Sequence, residues 1–132
     1  MIRLLAFTAL VLATCPLQAA HAAEMTFYQL PAGAYPHDVA PAPDGTVWIS
    51  GQRQGFAGRF NPKTGHLENI ALWPGAAPHG VIVGADGNAW LTEGGQNAIA
   101  RVDARTKEVK LFPLPKEFPN ANLNTLVFDG KG

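Results

Sequence analysis

Three side chains stand out as able to do chemistry together: His37, His79 and Glu93. Each histidine follows a proline, in Pro36-His37-Asp38-Val39 and in Pro78-His79-Gly80-Val81, and the two are 42 positions apart. An imidazole titrates near pH ~6.5, so it can take a proton from carbon at neutral pH when something stabilises the negative charge that develops. Glu93 follows Trp90-Leu91-Thr92, fourteen residues beyond His79. A hard cation such as Mg2+ prefers oxygen, which makes the carboxylate a better ligand candidate than either ring. The bland readings are a strand-capping role for each Pro-His pair and an ion pair of Glu93 with Arg101 or with a basic group of a neighbouring blade. His66, next to Gly65, reads as a solvated turn residue, and Asn97 as a side chain that ties a loop.

The spacing of the histidines belongs to a longer repeat. At the same offset Asp44-Gly45 falls on Asp86-Gly87, Val47-Trp48-Ile49-Ser50 on Ala89-Trp90-Leu91-Thr92, and Gly58-Arg59-Phe60 on Ala100-Arg101-Val102. Phe27-Tyr28-Gln29-Leu30-Pro31 falls on Asn69-Ile70-Ala71-Leu72-Trp73, with a third copy at Leu111-Phe112-Pro113-Leu114-Pro115. A period of this length suits propeller blades or armadillo-type helical repeats. Apolar runs of four to six residues separated by Asp-Gly, Thr-Gly and Pro-Gly leave no room for helices of ten or more, so strands are expected. In the second unit these are 80–83, 89–92, 99–102 and 109–112. The fold class is therefore all-β, a β-propeller with four-stranded blades at about 31–72 and 73–114 and a third unit begun at 115–132. Trp48 and Trp90 should pack between sheets, and Arg59 and Arg101 should form salt bridges between blades. Asn124 stands in the third unit where the others carry histidine.

The whole chain has 132 residues, with 47% hydrophobic and 15% charged side chains, ten basic and ten acidic. That balance excludes a basic nucleic-acid grip and a disordered tail. Arg3, the apolar run 4–13 and Ala20-His21-Ala22 read as a secretory signal peptide over 1–22, leaving 23–132 as a partial propeller domain. The apolar run is shorter than the ~20 residues of a bilayer span, so no stable membrane span is expected after processing. Leu12-Ala13-Thr14-Cys15 offers a lipoprotein box as the alternative. Cleavage before Ala23 would remove Cys15, the only cysteine, and with it any disulfide or thiol chemistry. A periplasmic or secreted location follows. A propeller needs four to eight blades, so the chain is expected to be an N-terminal fragment, or else to assemble with further copies into a ring.

Pro-His-Gly-Val, Asp-Gly-Asn-Ala-Trp-Leu-Thr-Glu, Asn-Ala-Ile-Ala-Arg-Val-Asp and Phe-Pro-Leu-Pro together resemble the streptogramin B lyase family, also called virginiamycin B lyases. The resemblance implies a seven-bladed propeller, monomeric at full length, acting on a cyclic peptide ester or another small molecule. Its reaction is elimination: a histidine removes the proton next to the ester carbonyl, and Mg2+ held partly by carboxylate stabilises the enolate. On this basis His79 is the base, Glu93 the metal-side carboxylate, and His37 the second active-site histidine. The family pattern also calls for an acid at position 77, where this chain has Ala77. The alternative is an exported propeller that binds a peptide, cofactor or glycan without turnover.

Overall fold

The computed structural model describes residues 23–130; the expected signal peptide lies outside them. Eight strands follow one another: β1 (Pro36–Pro41), β2 (Val47–Gly51), β3 (Phe56–Asn61), β4 (His66–Ala71), β5 (Pro78–Val83), β6 (Ala89–Glu93), β7 (Ala98–Val102) and β8 (Val109–Pro113). They form two antiparallel four-stranded meanders, β1-β2-β3-β4 and β5-β6-β7-β8. The four strands read from the second repeat all form, each extended by one or two residues at an end. No strand is assigned after β8 among the described residues, although 124–128 carries the apolar pattern of a third first strand. The segment reaches β5 through one backbone bond, the Gly80 N–H donating to the Asn124 carbonyl at 3.1 Å, which is too little for a strand ladder.

The Asp-Gly steps build the turns that join the first two strands of each sheet. Asp44 Oδ1 accepts the Thr46 backbone N–H at 3.0 Å and its hydroxyl at 2.6 Å, and Asp86 Oδ1 accepts the Asn88 N–H at 3.1 Å. Backbone bonds close the same turns, from the Gly45 N–H to the Ala42 carbonyl at 3.0 Å and from the Gly87 N–H to the Gly84 carbonyl at 2.9 Å. The Thr46 bonds, with the Arg59 guanidinium beyond them, hold the Asp44 carboxyl down at about 2.

The sheets pack on one another chiefly through the β1–β2 edge of the first and β5 of the second. Between them lies one core: Ala40, Trp48, Ala57 and Ile70 from the first sheet meet Val81, Ala89, Leu91, Ala100 and Val102 from the second. Small residues alternate with large ones, which lets the layers interdigitate; burying a side chain such as Leu91 contributes about 1.5–3 kcal/mol. The two tryptophans differ. Trp48 is fully buried in this core, whereas Trp90 is half-buried and stacks on Phe112 at 5.6 Å between ring centroids, with Phe128 edge-on at 6.3 Å.

The arginines depart from expectation. Arg59 pairs with Asp44 and Arg101 with Asp86 (3.6 Å) and Asp103 (3.8 Å), so these ion pairs lie within a sheet and not between sheets. Asp44 and Asp86 sit at the Asp-Gly turns and Asp103 directly after the arginine's own strand, which is a shorter reach. Arg59 does touch the second sheet, where Nη1 donates to the Ala104 carbonyl at 2.7 Å.

Candidate functional site

Each sheet begins with a bulge. Pro36 faces Gly51 and Val39 faces Ile49, so His37 and Asp38 share Ser50 as their opposite number. The second sheet repeats this: Pro78 faces Glu93, Val81 faces Leu91, and His79 and Gly80 stand opposite Thr92. An extra residue in one strand bends it and re-aims its side chains, a device common beside binding sites. Here it turns each histidine out of the ladder.

A buried hydroxyl fixes each bulge. Ser50 Oγ accepts the Asp38 N–H at 2.9 Å and donates to the His79 carbonyl at 2.6 Å, linking the two sheets. Thr92 Oγ1 accepts the Gly80 N–H at 2.8 Å and donates to the Asn124 carbonyl at 2.6 Å. Asn124 therefore takes up, toward the second sheet, the position that His79 takes toward the first. Asp38 adds another link, since its Oδ2 accepts the Val81 N–H at 3.2 Å.

These links bring the two histidines together. The His37 and His79 rings lie with centroids 3.5 Å apart and planes inclined by 37°. His37 is exposed, and His79 is half-buried. His79 Nδ1 is buried and has no hydrogen-bond partner among the described residues. A ring nitrogen not committed to the protein can serve as an acceptor for a ligand proton, and unsatisfied buried polar atoms are rare enough to mark a site. The expected capping role survives only in the backbone, where the His79 carbonyl, not its ring, is the group that ties the sheets.

Glu93 is wholly buried. Its Oε1 accepts the Ala77 N–H at 2.5 Å and the Gly95 N–H at 3.1 Å, and its Oε2 has no partner among the described residues. The expected pairing with Arg101 does not occur. Burial pushes the carboxyl above its usual 4.5, opposed by the backbone N–H groups of Ala77, Gly95 and Gln96. Mg2+ takes an octahedron of oxygens. Against that demand the Glu93 carboxylate is turned into its own backbone, position 77 is alanine, and the nearby Asp38 carboxylate is taken up by the Val39 and Val81 N–H groups. Among the described residues no group of three His, Cys, Asp or Glu side chains could hold a metal ion. The described residues do not by themselves make up a Mg2+ site.

Two further residues behave as the sequence suggests. His66 is exposed at the start of β4, and Asn97 ties the 118–121 loop through the Phe118 carbonyl (2.6 Å) and the Ala121 N–H (2.9 Å). An apolar hollow of about 350 Å³ is lined by Ile82, Trp90, Ile99, Leu126, Val127 and Phe128. It lies around Trp90, the counterpart of the Trp48 that the second sheet covers. Among the described residues no helix is long and apolar enough to cross a membrane.

Two consecutive four-stranded meanders, stacked face to face with their first strands adjacent, are blades of a β-propeller. The same conclusion comes from solved structures. The chain is similar to a streptogramin B lyase, with 28% identity and a TM-score of 0.71 over 80% of this chain and 35% of that one. It is similar also to virginiamycin B lyase from Staphylococcus aureus, with 27% identity and a TM-score of 0.68 over 74% of this chain and 33% of that one. A catalytically inactive histidine-to-alanine variant of the S. aureus enzyme, in a structure with quinupristin, matches to the same extent. The chain thus spans about a third of the length of these lyases. No family model matches it, and no curated protein does.

Proposed function

We propose that this chain carries the histidine face of an exported carbon-oxygen lyase that opens a cyclic depsipeptide ester by elimination. The observation that carries the reading is the His37–His79 pair, contributed by two successive blades at 3.5 Å between ring centroids. Support comes from the likeness to virginiamycin B lyase, in which replacing a histidine by alanine gives a catalytically inactive enzyme.

In this reading His79 takes the proton from the carbon next to a carbonyl. The electron pair of that C–H bond becomes a carbon–carbon double bond as the neighbouring C–O bond breaks, and the ester's carboxylate leaves. The ring opens with no change in mass. His37, exposed against the face of His79, positions the substrate or polarises the leaving ester oxygen. The Ser50 and Thr92 hydroxyls hold both strand starts so that the rings meet the substrate in one geometry, which is the contribution of preorganisation to rate. The Mg2+ and Glu93 ligation that the resemblance implies take no step here, because the donor set falls short of such a site. The signal peptide over 1–22, the partial propeller over 23–132 and delivery to the periplasm or beyond belong to the same proposal.

The test is mass spectrometry of quinupristin incubated with the purified protein and with His79→Ala. A ring-opened product of unchanged mass, lost in the variant, is the expected result. Intact quinupristin, or a product heavier by one water, would overturn it. The second reading, an exported binding module, is favoured by one specific observation: Glu93 and position 77, the expected acidic pair, are bound to each other as carboxylate and backbone N–H. Saturable binding of quinupristin without ring opening would establish it.

A further inference from the structure

The two blades close the same corner with different chemistry. At this corner the backbone bond is common to both: the Gln52 N–H donates to the Tyr35 carbonyl at 3.3 Å, and the Gly94 N–H to the Ala77 carbonyl at 3.3 Å. Around it four positions change together. In the first blade the Arg53 guanidinium lies 3.9 Å from the centre of the Tyr35 ring, and Phe56 fills the space beside Gly51. That space is fully used, since a Cβ on Gly51 would lie 2.1 Å from the Phe56 ring. One repeat later the same four positions are Gly95, Ala77, Ala98 and Glu93. The aromatic ring has become a methyl and the glycine a glutamate, whose carboxylate joins the Ala77 and Gly95 N–H groups. No side chain could stand at position 95, where a Cβ would meet the Gly75 carbonyl oxygen at 2.1 Å.

The first blade shows that a propeller corner of this sequence closes with apolar filling and no carboxylate. Glu93 is therefore not demanded by the fold, and its burial costs free energy that Phe56 does not. What it adds is a fixed point on Ala77, two residues before His79. We infer that Glu93 is a positioning residue for His79, holding the 77–79 strand start against the 94–95 turn through its carboxylate instead of serving as a metal ligand. The inference rests on the reading of His79 as the reacting group, but its test does not depend on turnover.

The experiment compares imidazole ¹H–¹⁵N spectra and amide hydrogen exchange of the full chain in the wild type, in Glu93→Gln, and in Glu93→Gly combined with Ala98→Phe, which copies the first blade's arrangement. Glutamine keeps an acceptor oxygen, so the His79 ring signals should stay in place. The double variant should melt cooperatively with unchanged β circular dichroism, yet displace or broaden the His79 signals while those of His66 remain. Its Ala77 and Gly95 amides should exchange about tenfold faster, the equivalent of one lost hydrogen bond. Where the double variant fails to fold, Glu93→Ala is read by the same signals. Unmoved His79 signals in a folded variant without the acceptor would overturn the inference. So would a saturable Mg2+-induced shift of the His79 signals that Glu93→Gln abolishes, since that would make Glu93 a ligand. Failure of the protein to open quinupristin would count against the lyase reading and leave these readouts where they are.

Discussion

Ser50→Ala removes one hydroxyl and unties two blades. The Ser50 oxygen is buried, accepts the Asp38 N–H at 2.9 Å and donates to the His79 carbonyl at 2.6 Å. Alanine fills nearly the same volume, so the loss is almost entirely polar. Each buried group left without a partner costs about 1–3 kcal/mol. Because Asp38 is only half-buried, its N–H falls at the low end of that range, and the two together come to about 2–3 kcal/mol. For a domain near this size each kcal/mol moves the thermal midpoint by roughly 4–8 °C, so a fall of roughly 10–20 °C is expected. Ser50→Thr is the control, since Thr92 performs the same two bonds in the second blade. It should stay within about 1 kcal/mol of the wild type. Urea and thermal melts of the three proteins measure both. A Ser50→Ala variant within about 0.5 kcal/mol of the wild type, or a Ser50→Thr variant as damaged as the alanine, would refute the role given to this hydroxyl.

Further outcomes follow from the same contacts. His79→Ala should fold normally, because the group that Ser50 binds is the backbone carbonyl, and should lower ring-opening turnover by about 10²–10⁴-fold in a mass-spectrometric rate assay. Trp48→Ala, in the closed core, should cost about 3–5 kcal/mol in urea melts and Trp90→Ala about half as much, since Trp90 is half-buried. The Glu93 carboxyl is raised on folding, so the folded chain binds its proton more tightly than the unfolded one. Its contribution favours the fold at acid pH and declines as pH rises from its usual 4.5 through the raised folded value. Glu93→Gln cannot ionise and should lack that decline in urea melts run across the window; a difference of the opposite sign would contradict the burial assigned to Glu93.

The repeat made the strands legible because both blades carry the same apolar runs between the same turns, and an error in one copy would have been exposed by the other. The bulges were hidden for the same reason. An extra residue present in both copies leaves the offset of 42 undisturbed, so pairing of His37 and Asp38 with a single Ser50 has no signature in the alignment. The superposition of Ser50 on Thr92 did carry a signal, a hydroxyl kept amid apolar neighbours, and it marks the bolts that join the blades. Asp44 with Arg59, and Asp86 with Arg101, were equally visible as co-repeating opposite charges, and the strand pairing of β2 with β3 brings them together within a blade. Glu93 reads as a metal-side carboxylate or an ion-pair partner, but its partners are the backbone N–H groups of Ala77 and Gly95, which every residue except proline offers and no sequence pattern announces.

The pairing of the two rings is the point on which the functional reading stands, and it can be observed directly. With the imidazole protons of His37 and His79 assigned in the ¹⁵N-labelled protein, nuclear Overhauser spectra report contacts shorter than about 5 Å. Rings with centroids 3.5 Å apart should give strong cross-peaks between His37 and His79, weakened in Ser50→Ala and retained in Ser50→Thr. Two assigned sets of ring signals with no cross-peak between them would mean that the blades do not present the histidines as a pair.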